Sequence, residues 1–225
     1  MESKSIFTRF AEIVSPDAIG NRSAYVMEFG ACDGYHTNLL CEILSSRGGP
    51  YSMHAFEPGH FLLNSFVSQN ARHFPSLVFN VMAVGAVDGI TDFYQSQSTT
   101  PGQSFIGSSS IKEPDLVTEI YPMNFQKTSC QCCRLDTYCH EKSIPYIDFI
   151  WSDIQGAEKD LILGGQDAFS RTRFFYTEVS SAGLYADTGY STPDGLMRFL
   201  PGKWELVEDY GGDVLFKNLD YPHPQ

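Results

Sequence analysis

The segment from Glu28 to Thr37 (EFGACDGYHT) brings two glycines and acidic side chains together within a few residues. Gly30 and Gly34 allow the backbone to turn sharply and to approach a ligand closely, and a helix starting after them would offer unpaired N–H groups. The pattern differs from the dinucleotide fingerprint G-x-G-x-x-G, because Cys32 stands where its second glycine would fall and Tyr35 where its third would. The segment therefore predicts a ligand-binding loop and disfavours a NAD-dependent oxidoreductase.

Two glutamates indicate the charge of that ligand. Glu28 places a carboxylate where a pyrophosphate would be repelled and an ammonium group attracted. Glu57 stands in Phe56-Glu57-Pro58, about 20 residues beyond the loop, where nucleoside-binding folds hydrogen-bond a ribose. Either glutamate alone would be interpreted as an ordinary solvated residue. The two, however, lie at the ends of consecutive predicted strands. The pair predicts a cationic nucleoside without phosphate, and S-adenosylmethionine fits this description.

The elements that would position these residues alternate between strand-like and helix-like patterns, which is typical of a sheet covered by helices on both faces. Strands are predicted at 25–29, 51–56, 77–84, 127–135, 147–152 and 173–179, with a terminal hairpin at 204–209 and 213–218. Helices are predicted at 37–46, around 61–67, at 157–163 and from Pro193, with Thr192 as its N-cap. We predict one α/β domain with a core at about 24–218 and a frayed tail at 219–225.

One stretch interrupts this alternation. Residues 96–115 are rich in Ser, Thr, Gly and Pro, so an insertion at about 95–127 is predicted to be a lid or binding loop. A floppy surface loop is the alternative.

Four of the six cysteines cluster at Cys130, Cys132, Cys133 and Cys139, next to His140. A zinc site is one interpretation, but the spacing lacks the paired C-x2-C knuckles of tetrahedral zinc. The favoured alternative is that Cys130 and Cys132 are small apolar residues on one buried face of a strand. No apolar run is long enough for a signal-peptide core or a membrane span, so a cytoplasmic protein with free thiols is expected.

The segment Asp153–Glu158 (DIQGAE) makes a family resemblance specific. Together with the Gly-rich loop and the FEP strand end, in this order, it resembles the FkbM-type family of class I S-adenosylmethionine-dependent methyltransferases over about 24–218. Further similar stretches are RLD at 134–136, TEV at 177–179 and GDVLF at 212–216. The chain departs from the family pattern at Gln155, where Glu is commoner, at Trp151-Ser152, and in its cysteine-rich strand.

The resemblance implies a three-layer Rossmann-like methyltransferase fold, with a mostly parallel seven-stranded sheet and an antiparallel last strand. It also implies cofactor contacts. Those around the methionine moiety would be Glu28, Gly30, Ala31, Asp33, Gly34 and Thr37. Those around the ribose and adenine would be Phe56, Glu57, Pro58, Asn80, Ala83 and Val84, with Asp153 completing the cofactor site. The implied reaction is O-methylation of a sugar or glycan, or alternatively of a polyketide or phenolic hydroxyl.

A hydroxyl acceptor must lose its proton, so a base within hydrogen-bond reach is expected. Asp153 and Glu178 are candidates because both follow predicted central strands, and His36 is a third. The two carboxylates would alternatively bind Mg²⁺ and acidify the hydroxyl. The structural alternatives are an N-cap for Asp153, a solvated strand end for Glu178 and a surface loop residue for His36. Tyr185, Tyr190 and Phe105 are expected near the site mouth, where aromatic faces suit a sugar ring.

Composition limits the partners. Fifteen Lys and Arg against 27 Asp and Glu give a net charge of −12, which disfavours nucleic acids and anionic membranes. A nucleic-acid methyltransferase is further disfavoured because DIQG at 153–156 replaces the proline-rich loop of amino-directed enzymes. A non-catalytic subunit that binds cofactor without transferring methyl groups is the alternative from another class. The intact loop glycines and both glutamates argue against it.

Overall fold

The computed structural model describes residues 4–59, 73–102, 105–180 and 182–222. The strands of this part are β1 (Ala24–Phe29), β2 (Tyr51–Phe56), β3 (Leu77–Asn80), β4 (Ala83–Val84), β5 (Gly89–Ser98), β6 (Met123–Cys133), β7 (Ile147–Ser152), β8 (Thr172–Glu178), β9 (Trp204–Asp209) and β10 (Asp213–Asn218). Its α-helices are α1 (Ile6–Ile13), α2 (Pro16–Ile19), α3 (Tyr35–Ser46), α4 (Val117–Ile120), α5 (Leu135–Glu141), α6 (Glu158–Gly164), α7 (Gln166–Ser170) and α8 (Pro193–Met197). The helix predicted around 61–67 lies outside the described residues.

The main sheet has seven strands in the order β3-β2-β1-β7-β8-β10-β9. Neighbouring strands from β3 to β8 pair in parallel, whereas β10 is antiparallel to both β8 and β9. This confirms the predicted mostly parallel α/β sheet with an antiparallel last strand. Because parallel strands end at one edge, the residues that follow β1, β2, β7 and β8 lie side by side.

The central strands are held between two apolar layers. Met27 and Phe29 of β1 pack into one core with Leu135, while Val26 packs into the other with Phe149. This alternation follows from the two-residue period of a strand. All six residues of β7 are buried, as the nearly continuous apolar sequence predicts. The loops after these strands are therefore anchored on a rigid base.

A second, three-stranded sheet in the order β4-β6-β5 corrects the sequence interpretation in two places. The single strand predicted at 77–84 is two strands, because β3 pairs with β2 while β4 pairs with Cys132 and Cys133 of β6. The strand predicted at 127–135 begins at Met123 and ends at Cys133, and Leu135 opens α5. Only the two ends of the proposed insertion, 95–98 and 123–127, belong to the ladder between β5 and β6, and residues 99–122 connect the two strands.

Three of the cysteines lie in β6, Cys41 and Cys139 lie in α3 and α5, and Cys32 lies in the loop after β1; all six are free thiols. Cys132 is buried and Cys130 is only half-buried, so the two differ more than a shared buried face predicts. In the described ranges no three His, Cys, Asp or Glu side chains come together as a metal site. Of the helices in these ranges, none has the length and apolar run that crossing a bilayer requires.

Candidate functional site

A cavity of about 320 Å³ opens at the carboxyl ends of β1, β2 and β7. Its walls come from the loop after β1, the FEP turn, the start of β4, the loop after β7, and residues 106–111 of the connection between β5 and β6. Ten residues singled out from the sequence line it: Gly30, Ala31, Asp33, His36, Phe56, Glu57, Pro58, Ala83, Val84 and Asp153. The fold therefore brings the Gly-rich loop, the FEP turn and Asp153 to one concave surface, and residues 106–111 form part of its wall.

Five other predicted residues are not on this wall: Glu28, Gly34, Thr37, Asn80 and Glu178. Asn80 has a structural position, because its amide donates to the Ala55 carbonyl at 3.2 Å and its oxygen accepts from the Tyr138 hydroxyl at 3.1 Å. Asn80 is therefore not on the cavity wall, whereas Ala83 and Val84 line it, and its contact with adenine stays a prediction. Gly34, with a φ of 76°, precedes the first turn of α3.

Glu28 lies buried beneath the loop, with no exposed surface. One carboxylate oxygen accepts a hydrogen bond from the Thr37 hydroxyl, and the other, Oε1, has no hydrogen-bond partner. Burial, together with the nearby carboxylates of Glu57 and Asp153, raises the pKa of Glu28 to about 8. A cationic group bound in the neighbouring loop would favour the charged form of this carboxyl and lower that pKa.

Glu57 is positioned by two backbone N–H groups. Cys32 donates to Oε2 at 3.1 Å and Gly59 donates to Oε1 at 2.7 Å, so the carboxylate also fastens the loop after β1. A carboxylate accepts about four hydrogen bonds, which leaves capacity for two ligand hydroxyls. Burial raises the pKa of Glu57 to about 7. None of the described residues on the cavity wall is Lys or Arg, so the wall is acidic and apolar.

Gly30 marks where the loops after β1 and β7 touch. Its φ is 84°, and a Cβ built on it would lie 1.9 Å from the Asp153 carbonyl oxygen. Only glycine fits both the left-handed backbone and this approach. The contact fixes how far Asp153 stands from the loop that precedes α3.

The Gly30→Ala variant is expected to lose about 3 kcal/mol or more of unfolding free energy, because the methyl group collides with backbone. Gly211→Ala is the matched control: its φ is 83°, and a Cβ there meets nothing within 4 Å. The control should lose only about 1–2 kcal/mol. Urea unfolding of both variants measures the difference, and equal losses would contradict the close packing of the two loops.

Asp153 and Glu178 are joined by a residue noted in the sequence only as a departure from the family pattern. The Gln155 side-chain amide donates to Asp153 Oδ1 at 2.6 Å and to Glu178 Oε2 at 2.8 Å. Glu178 lines a separate cavity of about 20 Å³, not the larger one. Burial and the Asp153 charge raise the pKa of Glu178. The Gln155 amide occupies the space between the Asp153 and Glu178 carboxylates. A Mg²⁺ ion bridging the two would need the same space.

The N-cap interpretation of Asp153 is wrong. The N-cap of α6 is Ala157, without a side-chain bond, and the Ile154 N–H is bonded by Glu158 at 3.3 Å. Glu158 is buried, which raises its pKa to about 7. Asp153 instead lines the cavity, and its Oδ1 accepts the bond from Gln155.

The aromatic residues are arranged differently from the sequence prediction. His36 lies on the cavity wall, half-buried, with its ring 4.8 Å from that of Trp151. Tyr185 is buried and donates its hydroxyl to the Ser108 carbonyl at 2.6 Å. Tyr190 lies under the Lys159 ammonium at 4.4 Å. Neither tyrosine, nor Phe105, lines the large cavity. Trp151 is not on its wall either: it is buried in β7 and packs against the His36 ring.

The sequence profile of the Methyltransferase FkbM domain matches residues 28–211, from the end of β1 to the β9–β10 turn. The chain belongs to the FkbM methyltransferase family. This confirms the resemblance drawn from the loop, FEP and DIQGAE motifs, and every described residue of the cavity wall lies within the matched range.

One curated relative is the 2-O-methyltransferase NoeI of Sinorhizobium fredii (strain NBRC 101917 / NGR234), 35% identical over 143 residues. The match covers 61% of this chain and 58% of NoeI, so it spans little more than half of that relative. The solved structure of Methyltransferase FkbM from Methylobacillus flagellatus KT superposes with a TM-score of 0.50 at 12% identity, over 92% of this chain and 47% of that one. This similarity to a solved structure supports the fold alone.

Proposed function

We propose that the protein is an S-adenosylmethionine-dependent O-methyltransferase that acts on a sugar or glycan hydroxyl. The observation that carries the proposal is the cavity at the ends of β1, β2 and β7, in which Glu57 and Asp153 share one wall without a lysine or arginine among the described residues. An acidic, partly apolar cavity fits a cationic nucleoside better than a phosphorylated one. Membership of the FkbM methyltransferase family indicates the class of reaction, which is methyl transfer.

The residues present fit this cofactor. Met82, Ala83, Val84 and Phe93 offer an apolar surface for the purine, and Glu57 offers oxygen atoms for the ribose hydroxyls. The loop after β1 would take the methionine part, with Asp33 on the wall and the unpartnered Glu28 oxygen beneath. When bound, the cofactor supplies a methyl group activated by the sulfonium. The protein must hold an acceptor oxygen in line with it, at about 3 Å.

Asp153 is the proposed general base, because it is the predicted carboxylate on the cavity wall that follows β7. It would accept the proton of the acceptor hydroxyl as the new C–O bond forms. The His36 ring on the cavity wall, against which the buried Trp151 packs, would offer a face to a sugar ring. The similarity to NoeI, a 2-O-methyltransferase, supports oxygen as the acceptor atom.

The proposal is tested by incubating the protein with S-adenosylmethionine labelled in its methyl group and a panel of free sugars, oligosaccharides, phenols, a polyketide and a peptide. Label in a carbohydrate, recovered as an O-methyl ether by NMR, is the expected result. Label only in a phenol or polyketide would overturn the sugar acceptor while keeping O-methylation. Cofactor binding without transfer to any acceptor, in the presence of a positive-control enzyme, would favour a non-catalytic cofactor-binding subunit.

The raised pKa values predict a pH dependence of stability. The buried carboxylates of Glu28, Glu57 and Glu158 titrate near pH 8, 7 and 7 in the folded protein, against 4.5 when unfolded. Protons bind the folded state more tightly, so the stability they contribute is complete below about pH 4.5 and is lost as the pH rises towards 8. The melting temperature of the cofactor-free protein should therefore fall from pH 5 to pH 8.5. Glu28→Gln should flatten this slope, and a rising curve would contradict the assignment.

A further inference from the structure

The Gln155 side chain contacts residues from three parts of the protein around the site. Its amide nitrogen reaches Asp153 and Glu178, and its amide oxygen lies 3.3 Å from the Tyr185 hydroxyl, which donates to Ser108. Both amide hydrogens are therefore used by carboxylates. The side chain lies between the loop after β7, the end of β8 and the connection between β5 and β6.

The backbone of Gln155 is held as firmly as its side chain. Its φ is 54°, a left-handed conformation that non-glycine residues rarely adopt. The Ser110 hydroxyl donates to its carbonyl oxygen at 2.8 Å. At the next residue, Gly156, a Cβ would lie 2.6 Å from the Thr188 methyl group. A strained backbone that several neighbours hold in place is typical of a functional position.

The chemistry of the amide is what this position requires. Two carboxylates this close repel each other, and a neutral group that donates to both relieves the repulsion without adding charge. The commoner family residue, Glu, has the same length but would add a third carboxylate. With glutamine the pair keeps a fixed geometry, and Asp153 stays directed to the large cavity while Glu178 lies on the small one.

We propose that Gln155 is a positioning residue: its uncharged amide holds Asp153 beside Glu178 and ties the proposed base to residues 108–110, which cover the cofactor cavity. This inference rests on the proposed function, because it assumes that Asp153 accepts the acceptor's proton. The titratable groups that interact with Asp153 or Glu178 come from every neighbouring element: Glu28, Glu57, Glu158 and Asp213, with Tyr176, Tyr185 and Cys32, while His36 interacts with Asp213.

The test compares Gln155→Glu with Gln155→Met over pH 5.5 to 9.5. In Gln155→Glu the third carboxylate strengthens proton binding by the cluster, so kcat at pH 7 should fall by about 10- to 100-fold and recover to within about threefold near pH 9. Gln155→Met keeps the length but has no donor, so its kcat should fall without recovery at high pH. Gln131→Glu, the same change at an exposed position of β6, should behave as wild type.

A second readout needs no turnover. The melting temperature of cofactor-free Gln155→Glu should match wild type near pH 5 and fall below it as the pH rises to 8.5, because an additional carboxylate must then be charged within the cluster. This separates the two claims: absence of methyl transfer by wild type would defeat the proposed function, while the melting curves still test the position of Gln155. A Gln155→Glu rate profile or melting curve parallel to that of wild type, or a Gln155→Met kcat within about twofold of wild type, would overturn the inference.

Discussion

Replacing Asp153 by asparagine is expected to reduce kcat by about 10²- to 10⁴-fold, the range measured when a general base is removed. The side chain keeps its size and can still contact Gln155, but it no longer accepts a proton from the acceptor hydroxyl. Because the change leaves the cavity shape intact, the dissociation constant of S-adenosylhomocysteine should change by less than about fivefold. Steady-state kinetics and calorimetric titration of the same preparation measure both effects.

Asp17→Asn is the matched control for this variant, since Asp17 is exposed in the first turn of α2. It should keep wild-type kcat and cofactor affinity. If Asp153→Asn retained kcat within about threefold of wild type across the pH range, Asp153 would not be the base, and His36 would be the next candidate on the cavity wall.

Removing the Glu57 carboxylate is expected to weaken cofactor binding by about 100-fold, since two hydrogen bonds from ribose hydroxyls to a charged acceptor would be lost, each contributing about 1.5 kcal/mol. The carboxylate also accepts from Cys32 and Gly59, so Glu57→Ala alone would mix ligand and loop effects. Glu57→Gln keeps one acceptor oxygen and should show an intermediate loss. Calorimetric titration with S-adenosylhomocysteine gives both values.

Glu42→Ala provides the comparison for Glu57, because Glu42 is an exposed residue of α3. Its affinity for S-adenosylhomocysteine should equal that of wild type. Circular dichroism should show that all three variants remain folded. An unchanged affinity in folded Glu57→Ala would refute the ribose assignment.

The central strands could be predicted because their apolar sequences are local signals. β2 and β7 have their predicted bounds, the terminal hairpin does too, and Thr192 caps α8 by accepting from the Gly195 N–H. β5 was missed because its sequence GITDFYQSQS is largely polar, and only its pairing with β6 makes it a strand. Such pairing between distant segments leaves no local pattern to read. The strand predicted at 77–84 is two strands, β3 and β4, for the same reason.

The candidate site, too, has parts that the sequence predicts and parts that it does not. The strand-end loops were predictable, since parallel strands must bring the residues after β1, β2 and β7 to one edge. The role of Gln155 was not, because it depends on a left-handed backbone and on β8 lying beside β7. Tyr185 was expected at the mouth, yet it packs with Val117 and Met123 beneath the connection between β5 and β6. Tertiary packing decides which aromatic side chains are buried.

The most direct test of the central claim is calorimetric titration of the wild-type protein with S-adenosylhomocysteine, the product form of the proposed cofactor. We predict one binding site per chain with a dissociation constant of about 1–50 μM, as expected for a ligand held by a few buried polar contacts and an apolar wall. S-adenosylmethionine should compete for the same site. Absence of heat and of competition at ligand concentrations of several hundred micromolar, with a correctly folded protein, would contradict the assignment of this cavity to the cofactor.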